Sequence, residues 1–274
     1  IRETIHDSRL RVIEFEYHED ELPNTSESSR DVSKIWAAIF CKLVPDAKLL
    51  ITSEPYGEFV AEYMNIKHLV FDPNRNKVPI AATKIRSSLH AYWDFLPDAV
   101  KGHFQQKIVL LGTESTGKSS LTEALSKEFR SSFVREVGRE LIPNSNDFST
   151  EQLKQVVDVH SDNIQQASKQ LEPLVFIDTD VHITQSYAQM RFGAYLGLPE
   201  QVYIHHHADH YFYLTKDLTF DQDGTRLEED ARNQLDKSHR NTLQYFDIPY
   251  IEVDGDWDQR YKKLSAYIQR LVVI

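Results

Sequence analysis

The chain has 274 residues, 41% of them hydrophobic, and a formal net charge of −11. This length predicts two domains, and the acidic balance excludes a general binder of nucleic acid or of membrane surfaces, whose footprint would be basic. No apolar run approaches the roughly 20 residues of a membrane span, and a single cysteine, Cys41, excludes an internal disulfide and is typical of the reducing cytoplasm. The negative net charge still permits binding of small anionic ligands, because such binding needs only a local positive site.

The first part of the chain predicts an α/β unit. Its expected elements are a strand at 12–17, a helix at 28–42, a strand at 47–51, a helix at 56–64, a strand at 68–71 and a helix from Thr83 to Leu89. Another helical segment carries Tyr92, Trp93 and Phe95, and a short join near 101–106 follows it. We therefore predict two domains, residues 1–104 and 105–274.

The second part predicts a parallel sheet. Strands are expected at 108–111, near Phe133, and at 174–177, 210–214 and 250–253, with helices after the first strand, at 149–170, after 179, at 228–245 and at 257–271. Ser149 and Gln152 have the spacing of a capping box, which marks the start of the second of these helices. Strands that alternate with helices imply parallel pairing.

Residues 108–119 read IVLLGTESTGKS, a buried strand followed by the phosphate-binding pattern G-x-x-x-x-G-K-[ST]. Glycines let backbone N–H groups close around a phosphate, and the helix N-terminus adds a favourable dipole. Lys118 would place a positive charge on the β and γ phosphates of ATP, and the Ser119 hydroxyl would ligate Mg²⁺. The alternative is a chance glycine loop, but the strand before and the helix after supply the context that the motif requires. The expected ATP-binding residues are Gly112, Glu114, Ser115, Thr116, Gly117, Lys118, Ser119, Ser120, Arg226 and Arg232.

Acidic residues follow two other predicted strands, at the edge where ligands gather in a parallel sheet. Asp178 would hold Mg²⁺, directly or through water; the alternative is that this segment only caps the next helix. Glu136 would accept the proton of an acceptor hydroxyl as general base, with Asp180 in reserve. The alternative for Glu136 is a surface ion pair.

A polar stretch at 217–230 contains Asp223-Gly224-Thr225-Arg226 between a strand and a helix. In small-molecule kinases a lid closes over the phosphates, and a lid arginine neutralises charge that develops in transfer. Arg226 is the expected lid arginine, and Arg232 would assist it. The alternative is an ordinary loop.

A run of histidines at 205–210 suggests a metal site, since His206 and His210 are four residues apart, as zinc ligands on a helix can be. The glutamate of the H-E-x-x-H motif is absent, however, and the strand expected from Tyr211 would break the helical spacing. We therefore expect a solvated helix end and no metal here.

Together these motifs resemble the bifunctional NadR family, in which a nicotinamide mononucleotide adenylyltransferase is fused to a ribosylnicotinamide kinase. The resemblance follows family order across nearly the whole chain. It is carried by Thr52-Ser53-Glu54, Asp72-Pro73-Asn74-Arg75, Ile80 to Arg86, Tyr92-Trp93, Leu96-Pro97, the phosphate loop, Glu136 to Arg139, Phe176 to Asp180 with Thr184-Gln185, and Asp223 to Arg226. The segment from Ile80 to Arg86 is similar to the family's I-S-x-T-x-x-R motif, which implies that Thr83 and Arg86 bind ATP phosphates in the adenylyltransferase unit.

The chain departs from the family pattern in several places. The H-x-G-H motif of the adenylyltransferase is absent, so the resemblance implies an incomplete Rossmann-like nucleotidyltransferase unit whose first strand and histidines would lie upstream of Ile1. Ala81 replaces the motif serine, and Val137 stands where the family prefers tyrosine in E-Y-G-R. The helix-turn-helix of some family members is also not found.

The resemblance implies a P-loop kinase domain that uses ATP and Mg²⁺ to phosphorylate nicotinamide riboside, giving nicotinamide mononucleotide. The attached unit would convert this product to NAD if completed upstream. The expected partners are these small molecules, and neither nucleic-acid binding nor membrane insertion is expected. The sequence permits a homo-oligomer but does not determine the oligomeric state. Two alternatives remain from the residues themselves: a P-loop kinase of another nucleoside or nucleoside monophosphate, and a nucleotide-switched regulatory module.

Overall fold

The computed structural model describes residues 1–18, 22–23, 28–142, 147–216 and 229–273. The chain divides into two compact units, residues 1–86 and 87–274. This division falls earlier in the chain than the expected boundary between residues 104 and 105. The reason is that the segment after residue 86 packs with the second unit: Trp93 is buried, and its indole N–H donates to the carbonyl of Leu171 at 2.7 Å.

The first unit contains a small parallel sheet with helices around it. Its described elements are α1 (Arg30–Leu43), β1 (Leu49–Thr52), α2 (Tyr56–Met64), β2 (Lys67–Val70) and α3 (Ala82–Ser87). The Ser29 side chain accepts a hydrogen bond from the backbone of Val32 and caps α1, and β1 pairs with β2 in parallel. The predictions of these helices and strands are confirmed, with ends displaced by a few residues.

The strand predicted at 12–17 is wrong, since this segment has no strand structure. Its aromatic residues contact a helix instead. The rings of Phe15 and Tyr17 lie 6.3 and 5.1 Å from the ring of Trp36 in α1, centroid to centroid. The alternation at Phe15 and Tyr17 therefore reflects packing of these two side chains against a helix and not a place in a sheet.

The second unit is an α/β fold on a parallel sheet. Its described elements are a 3₁₀ turn (Trp93–Phe95), α4 (Asp98–Phe104), β3 (Gln106–Leu111), α5 (Lys118–Glu128), β4 (Ser132–Val134), α6 (Gly138–Leu141), α7 (Thr150–Ser168), β5 (Leu174–Asp178), α8 (Val181–Phe192), α9 (Glu200–His206), β6 (His210–Leu214), α10 (Glu229–Tyr245), β7 (Ile251–Val253) and α11 (Trp257–Val273). The strand order is β4-β5-β3-β6-β7, and every neighbouring pair is parallel. The predicted α/β class and parallel pairing are confirmed, and so is the capping box of Ser149 and Gln152.

The sheet of the second unit is buried on both faces. Ile108 of β3 packs in a cluster with Leu121 of α5 and Leu264 of α11. The next residue, Val109, points the other way and packs in a cluster that includes Ile164 of α7. Because both faces are covered, β3 and β5 read as continuous apolar runs in the sequence.

Three short helices, α4, α6 and α9, are not among the elements predicted as such. None exceeds seven residues, so each offers at most two turns of hydrophobic periodicity, too little to recognise. Among the helices that the structure describes, none is both long and apolar enough to cross a membrane.

Candidate active site

The phosphate loop joins the end of β3 to the start of α5, and its backbone requires glycine at both ends. Gly112 has φ +140° and Gly117 has φ +87°. A Cβ atom on Gly112 would lie 2.8 Å from the carbonyl oxygen of Leu214 in β6, closer than such atoms normally approach. The glycine spacing of the motif thus has a steric cause, since left-handed backbone and close approach both exclude a side chain.

Side chains within the loop hold its shape. The Thr116 hydroxyl donates to the carbonyl of Thr113 at 2.8 Å, and the Lys118 ammonium donates to the same carbonyl at 3.0 Å. Lys118 is only 6% exposed, so its charge is directed into the loop rather than toward solvent. Ser119 and Ser120 are exposed in the first turn of α5, where backbone N–H groups favour anions.

An arginine from the last helix ties the loop to two other strand ends. The guanidinium of Arg260 donates to the carbonyls of Thr116, Thr215 and Gly255, each at 2.7 Å. The side chain is fully buried. One residue of α11 therefore holds the phosphate loop in register with the segments that follow β6 and β7.

Replacing this arginine by an apolar residue of smaller size should weaken the whole unit. In Arg260→Leu the buried carbonyl of Thr116 and the part-buried carbonyls of Thr215 and Gly255 would lose a charged donor, and we expect a loss of about 3–5 kcal/mol in the free energy of unfolding. Urea denaturation measures it, and Arg270→Leu, an exposed position on the same helix, serves as the control. Equal midpoints for the two variants would contradict this role of Arg260.

Arg232, expected to assist a lid arginine, lies against the phosphate loop. It is 6% exposed, and its Nε donates to the hydroxyl of Thr113 at 3.3 Å. A buried guanidinium at this place adds positive charge beside the phosphate loop. The expected lid residue Arg226 and its motif from Asp223 lie outside the described residues.

Asp178 ends β5, next to β3, and its carboxylate is buried at the phosphate loop. Burial raises the pKa of Asp178, and the Lys118 charge together with a hydrogen bond from Ser119 opposes that rise. Among the described residues, Oδ1 of Asp178 has no hydrogen-bond partner. A buried carboxylate oxygen with spare acceptor capacity beside a serine hydroxyl fits Mg²⁺, which uses few protein oxygens together with phosphates and water.

Asp180, expected as the reserve base, caps a helix. One of its oxygens accepts hydrogen bonds from the backbone N–H groups of His182 and Ile183, at 3.0 and 3.3 Å. The other oxygen lies 2.5 Å from the imidazole of His182. Burial alone would raise the pKa of Asp180, but the His182 contacts outweigh it and the pKa is lowered. Asp180 therefore has the hydrogen bonds of a helix cap, as the alternative for this segment predicts.

A cleft opens beside the phosphate loop, and Glu114 of the loop forms part of its wall. Acidic, basic, aromatic and aliphatic residues share its wall: Glu114, Glu136, Val137, Gly138, Arg139, Ile142, Phe148, Leu153, Val156, His160, Thr179, Ile183, Thr184 and Tyr187. Glu136, the expected base, lies shortly after β4 and is half-buried. The ring of Tyr187 lies 6.3 Å from that of Phe148. Burial, with Glu114 and Glu136 nearby, raises the pKa of Tyr187, so its phenol stays neutral.

Of the histidines at 205–210, those at 205–207 lie at the end of α9 as expected, and His207 is exposed, but they are not all solvated. His206 is 1% exposed, its Nε2 is 3.0 Å from the Ser161 hydroxyl and its Nδ1 accepts from the backbone of Val181 at 3.2 Å. It therefore joins α9 to α7 and α8, so that part of the prediction is wrong. The expected break in the helix is confirmed, since β6 begins at His210. Within the described part of the chain, no group of three or more His, Cys, Asp or Glu could hold a metal ion.

In the first unit, Thr83 and Arg86 both lie in α3 with exposed side chains. The helix begins at Ala82, so Thr83 stands inside the first turn and not before it. Its position differs from the cap that the sequence predicts, while both side chains remain accessible to a ligand.

Two site residues that the sequence analysis missed share a recognisable signal. Arg260 stands in line with the buried Leu264 and Ile268 along α11, and His160 stands in line with the buried Ile164 along α7. In each helix a polar residue occupies a position of the apolar stripe. Such a residue must find a buried partner or a ligand, and that expectation could have identified both.

The fold and the loop define a P-loop α/β domain of the nucleotide-binding class. The chain belongs to the AAA domain family AAA_28, whose sequence profile matches residues 107–260.

The resemblance to the NadR family is also confirmed. The chain is 25% identical over 219 residues to the trifunctional NAD biosynthesis/regulator protein NadR of Escherichia coli strain K12, covering 77% of this chain and 53% of the relative. The Salmonella typhimurium strain LT2 protein of the same name is similar at 25% over 222 residues, with the same coverage. The chain thus spans about half the length of these curated relatives. A solved NadR protein in complex with NR has the same fold, with a TM-score of 0.59 and 17% identity over 93% of this chain and 77% of that one.

Proposed function

We propose that the second unit is a kinase that transfers the γ-phosphate of ATP to the 5′-hydroxyl of nicotinamide riboside, giving nicotinamide mononucleotide. One observation carries this conclusion: the phosphate loop opens directly beside a cleft whose wall includes a carboxylate, Glu136, and aromatic rings. A bound nucleoside in that cleft would present a hydroxyl to the terminal phosphate.

In this reaction Lys118 and the N–H groups of the loop bind the β and γ phosphates, and Arg232 adds charge beside Thr113. Ser119 and Asp178 would hold Mg²⁺, which when bound neutralises phosphate charge. Glu136 accepts the proton of the attacking hydroxyl. The engagement of both Asp180 oxygens in capping and in the His182 contact supports Glu136 as the base.

The chemistry of the cleft supports nicotinamide riboside as the acceptor. Its pyridinium ring is a flat cation, and the cleft combines the carboxylates of Glu114 and Glu136 with the rings of Phe148 and Tyr187. Aromatic faces and nearby carboxylates both attract such a cation. NadR relatives named for NAD biosynthesis, and a NadR protein solved with NR, add to this support.

The test is ADP release by the purified chain with ATP and Mg²⁺, in the presence and absence of nicotinamide riboside. Strong dependence on the riboside is expected. Equal or higher rates with adenosine, cytidine or thymidylate would favour a kinase of another nucleoside or nucleotide. Slow ADP release at the same rate with and without each acceptor would favour the nucleotide-switched regulatory module.

We expect Arg226→Ala to lower kcat about 10²-fold or more with a smaller change in the KM for ATP, because a lid arginine acts mainly on charge that develops in transfer. Steady-state kinetics with both substrates measure this separation. Arg270→Ala is the matched control on an exposed face. An unchanged kcat would favour the alternative that the Asp223–Arg226 motif is an ordinary loop without a catalytic role.

For the first unit we propose phosphate binding by Thr83 and Arg86, as the adenylyltransferase resemblance implies. The 274-residue chain contains no H-x-G-H sequence, and Ala81 offers no hydroxyl. Since loss of one donor to charge at a reacting centre typically costs about 10²–10³-fold, this chain should make nicotinamide mononucleotide but no measurable NAD. Paired assays on one preparation, riboside to mononucleotide and mononucleotide to NAD, check it. Robust NAD synthesis would contradict this prediction.

A further inference from the structure

His160 of α7 has an unusual position. It lines the cleft beside the phosphate loop, and it is 97% buried, with 3% of its surface exposed. Among the described residues, its Nε2 has no hydrogen-bond partner. A buried polar atom without a partner costs stability, so it calls for an explanation in ligand binding or in catalysis.

The surroundings of His160 locate it at the polar part of the cleft. Its ring lies 5.3 Å from that of His206, which has its own partners. The charges that act most on His160 are those of Asp180 and Glu136. Glu136 is where the proposed function places the attacking 5′-hydroxyl, so the sugar of the acceptor would lie close to His160.

The chemistry of this imidazole suits a hydroxyl. Burial lowers the pKa of His160 to about 4, so the ring is neutral near pH 7. A neutral imidazole carries one donor and one acceptor nitrogen, and a hydroxyl can pair with either. A protonated ring, in contrast, would repel a cationic pyridinium.

The geometry points to His160 as an acceptor-binding residue whose Nε2 hydrogen-bonds a ribose hydroxyl, the 2′ or the 3′, of the nucleoside. This inference deepens the proposed function and rests on it. It assigns part of the selectivity for a sugar acceptor to His160. Without a ligand as partner, the buried Nε2 of His160 would only lower the stability of the unit.

The test compares wild type with His160→Leu, which removes the nitrogen at similar volume, and with His160→Gln, which keeps a hydrogen-bonding end. In His160→Leu the KM for nicotinamide riboside should rise about 3- to 10-fold, the value of one hydrogen bond, while the KM for ATP stays constant. His160→Gln should recover most of the loss, and His207→Leu, at an exposed position, should match wild type.

A second measurement separates binding from packing. The Tm of unliganded His160→Leu should equal or exceed that of wild type, since no described partner is lost, whereas the rise in Tm on adding the riboside should shrink. A lower Tm with an unchanged KM would show a purely structural role and overturn the inference. A KM within twofold of wild type in His160→Leu would overturn it as well.

The 2′-deoxy and 3′-deoxy forms of the riboside identify the contacted group. With the form that lacks the contacted hydroxyl, His160→Leu and wild type should have the same KM. If His160→Leu keeps its higher KM with both forms, the assignment to the sugar is overturned. If wild type ignores the riboside but accepts another nucleoside, the proposed function fails and the same variants are measured on that nucleoside. If it accepts none, the inference fails too.

Discussion

Lys118→Ala should lower kcat for phosphoryl transfer by about 10³-fold or more while the fold is kept. The lysine is a buried positive charge within the phosphate-loop motif, and electrostatic groups that meet charge developing on a transferring phosphoryl contribute on this scale. Its loss would also remove a charge that opposes the burial-driven rise in the pKa of Asp178.

The matched control is Lys127→Ala on the same helix. Lys127 is exposed and pairs with Glu123 at 2.8 Å, an interaction worth less than about 1 kcal/mol at the surface. ADP release and circular dichroism on both variants separate chemistry from folding. A folded Lys118→Ala protein with wild-type turnover would refute the assignment of the phosphate loop.

Glu136→Gln should lower kcat about 10²–10⁴-fold with little change in the KM for ATP, if the carboxylate accepts the proton of the acceptor hydroxyl. Glutamine keeps the size and a hydrogen-bonding end but does not take up a proton. Glu140→Gln, at an exposed position of α6, should leave the kinetics unchanged.

Asp180→Asn distinguishes the two candidate bases. Because Asp180 caps α8 and contacts His182, its amide variant should lose stability in urea, while a folded fraction keeps activity. Full activity in Glu136→Gln together with an inactive but stably folded Asp180→Asn would assign the base to Asp180.

The elements near the phosphate loop could be predicted because local chemistry determines them. Gly112 and Gly117 have a backbone that only glycine adopts easily, and the run from Ile108 to Leu111 is apolar because both sheet faces are covered. Ser149 with Gln152 closes its capping box within one turn. In each case the cause lies within a few residues of its effect.

The acceptor cleft and the buried histidines could not be predicted in the same way. His206 finds its partners in Ser161 and Val181, two residues on different helices. Tyr187 and Phe148 meet only after their helix and loop have packed. These contacts depend on tertiary packing, and composition or spacing does not determine which distant segments meet.

The hydrogen bond from Arg260 to the carbonyl of Thr116 joins residues 144 positions apart, and this has a consequence for protein synthesis. A nascent chain that has completed the loop but not α11 has the phosphate-binding sequence without the donor that orders it. Nucleotide affinity should therefore arise late in translation, when the last helix docks. Chains that end before residue 260 should fail to retain ATP, even though every residue of the motif is already present.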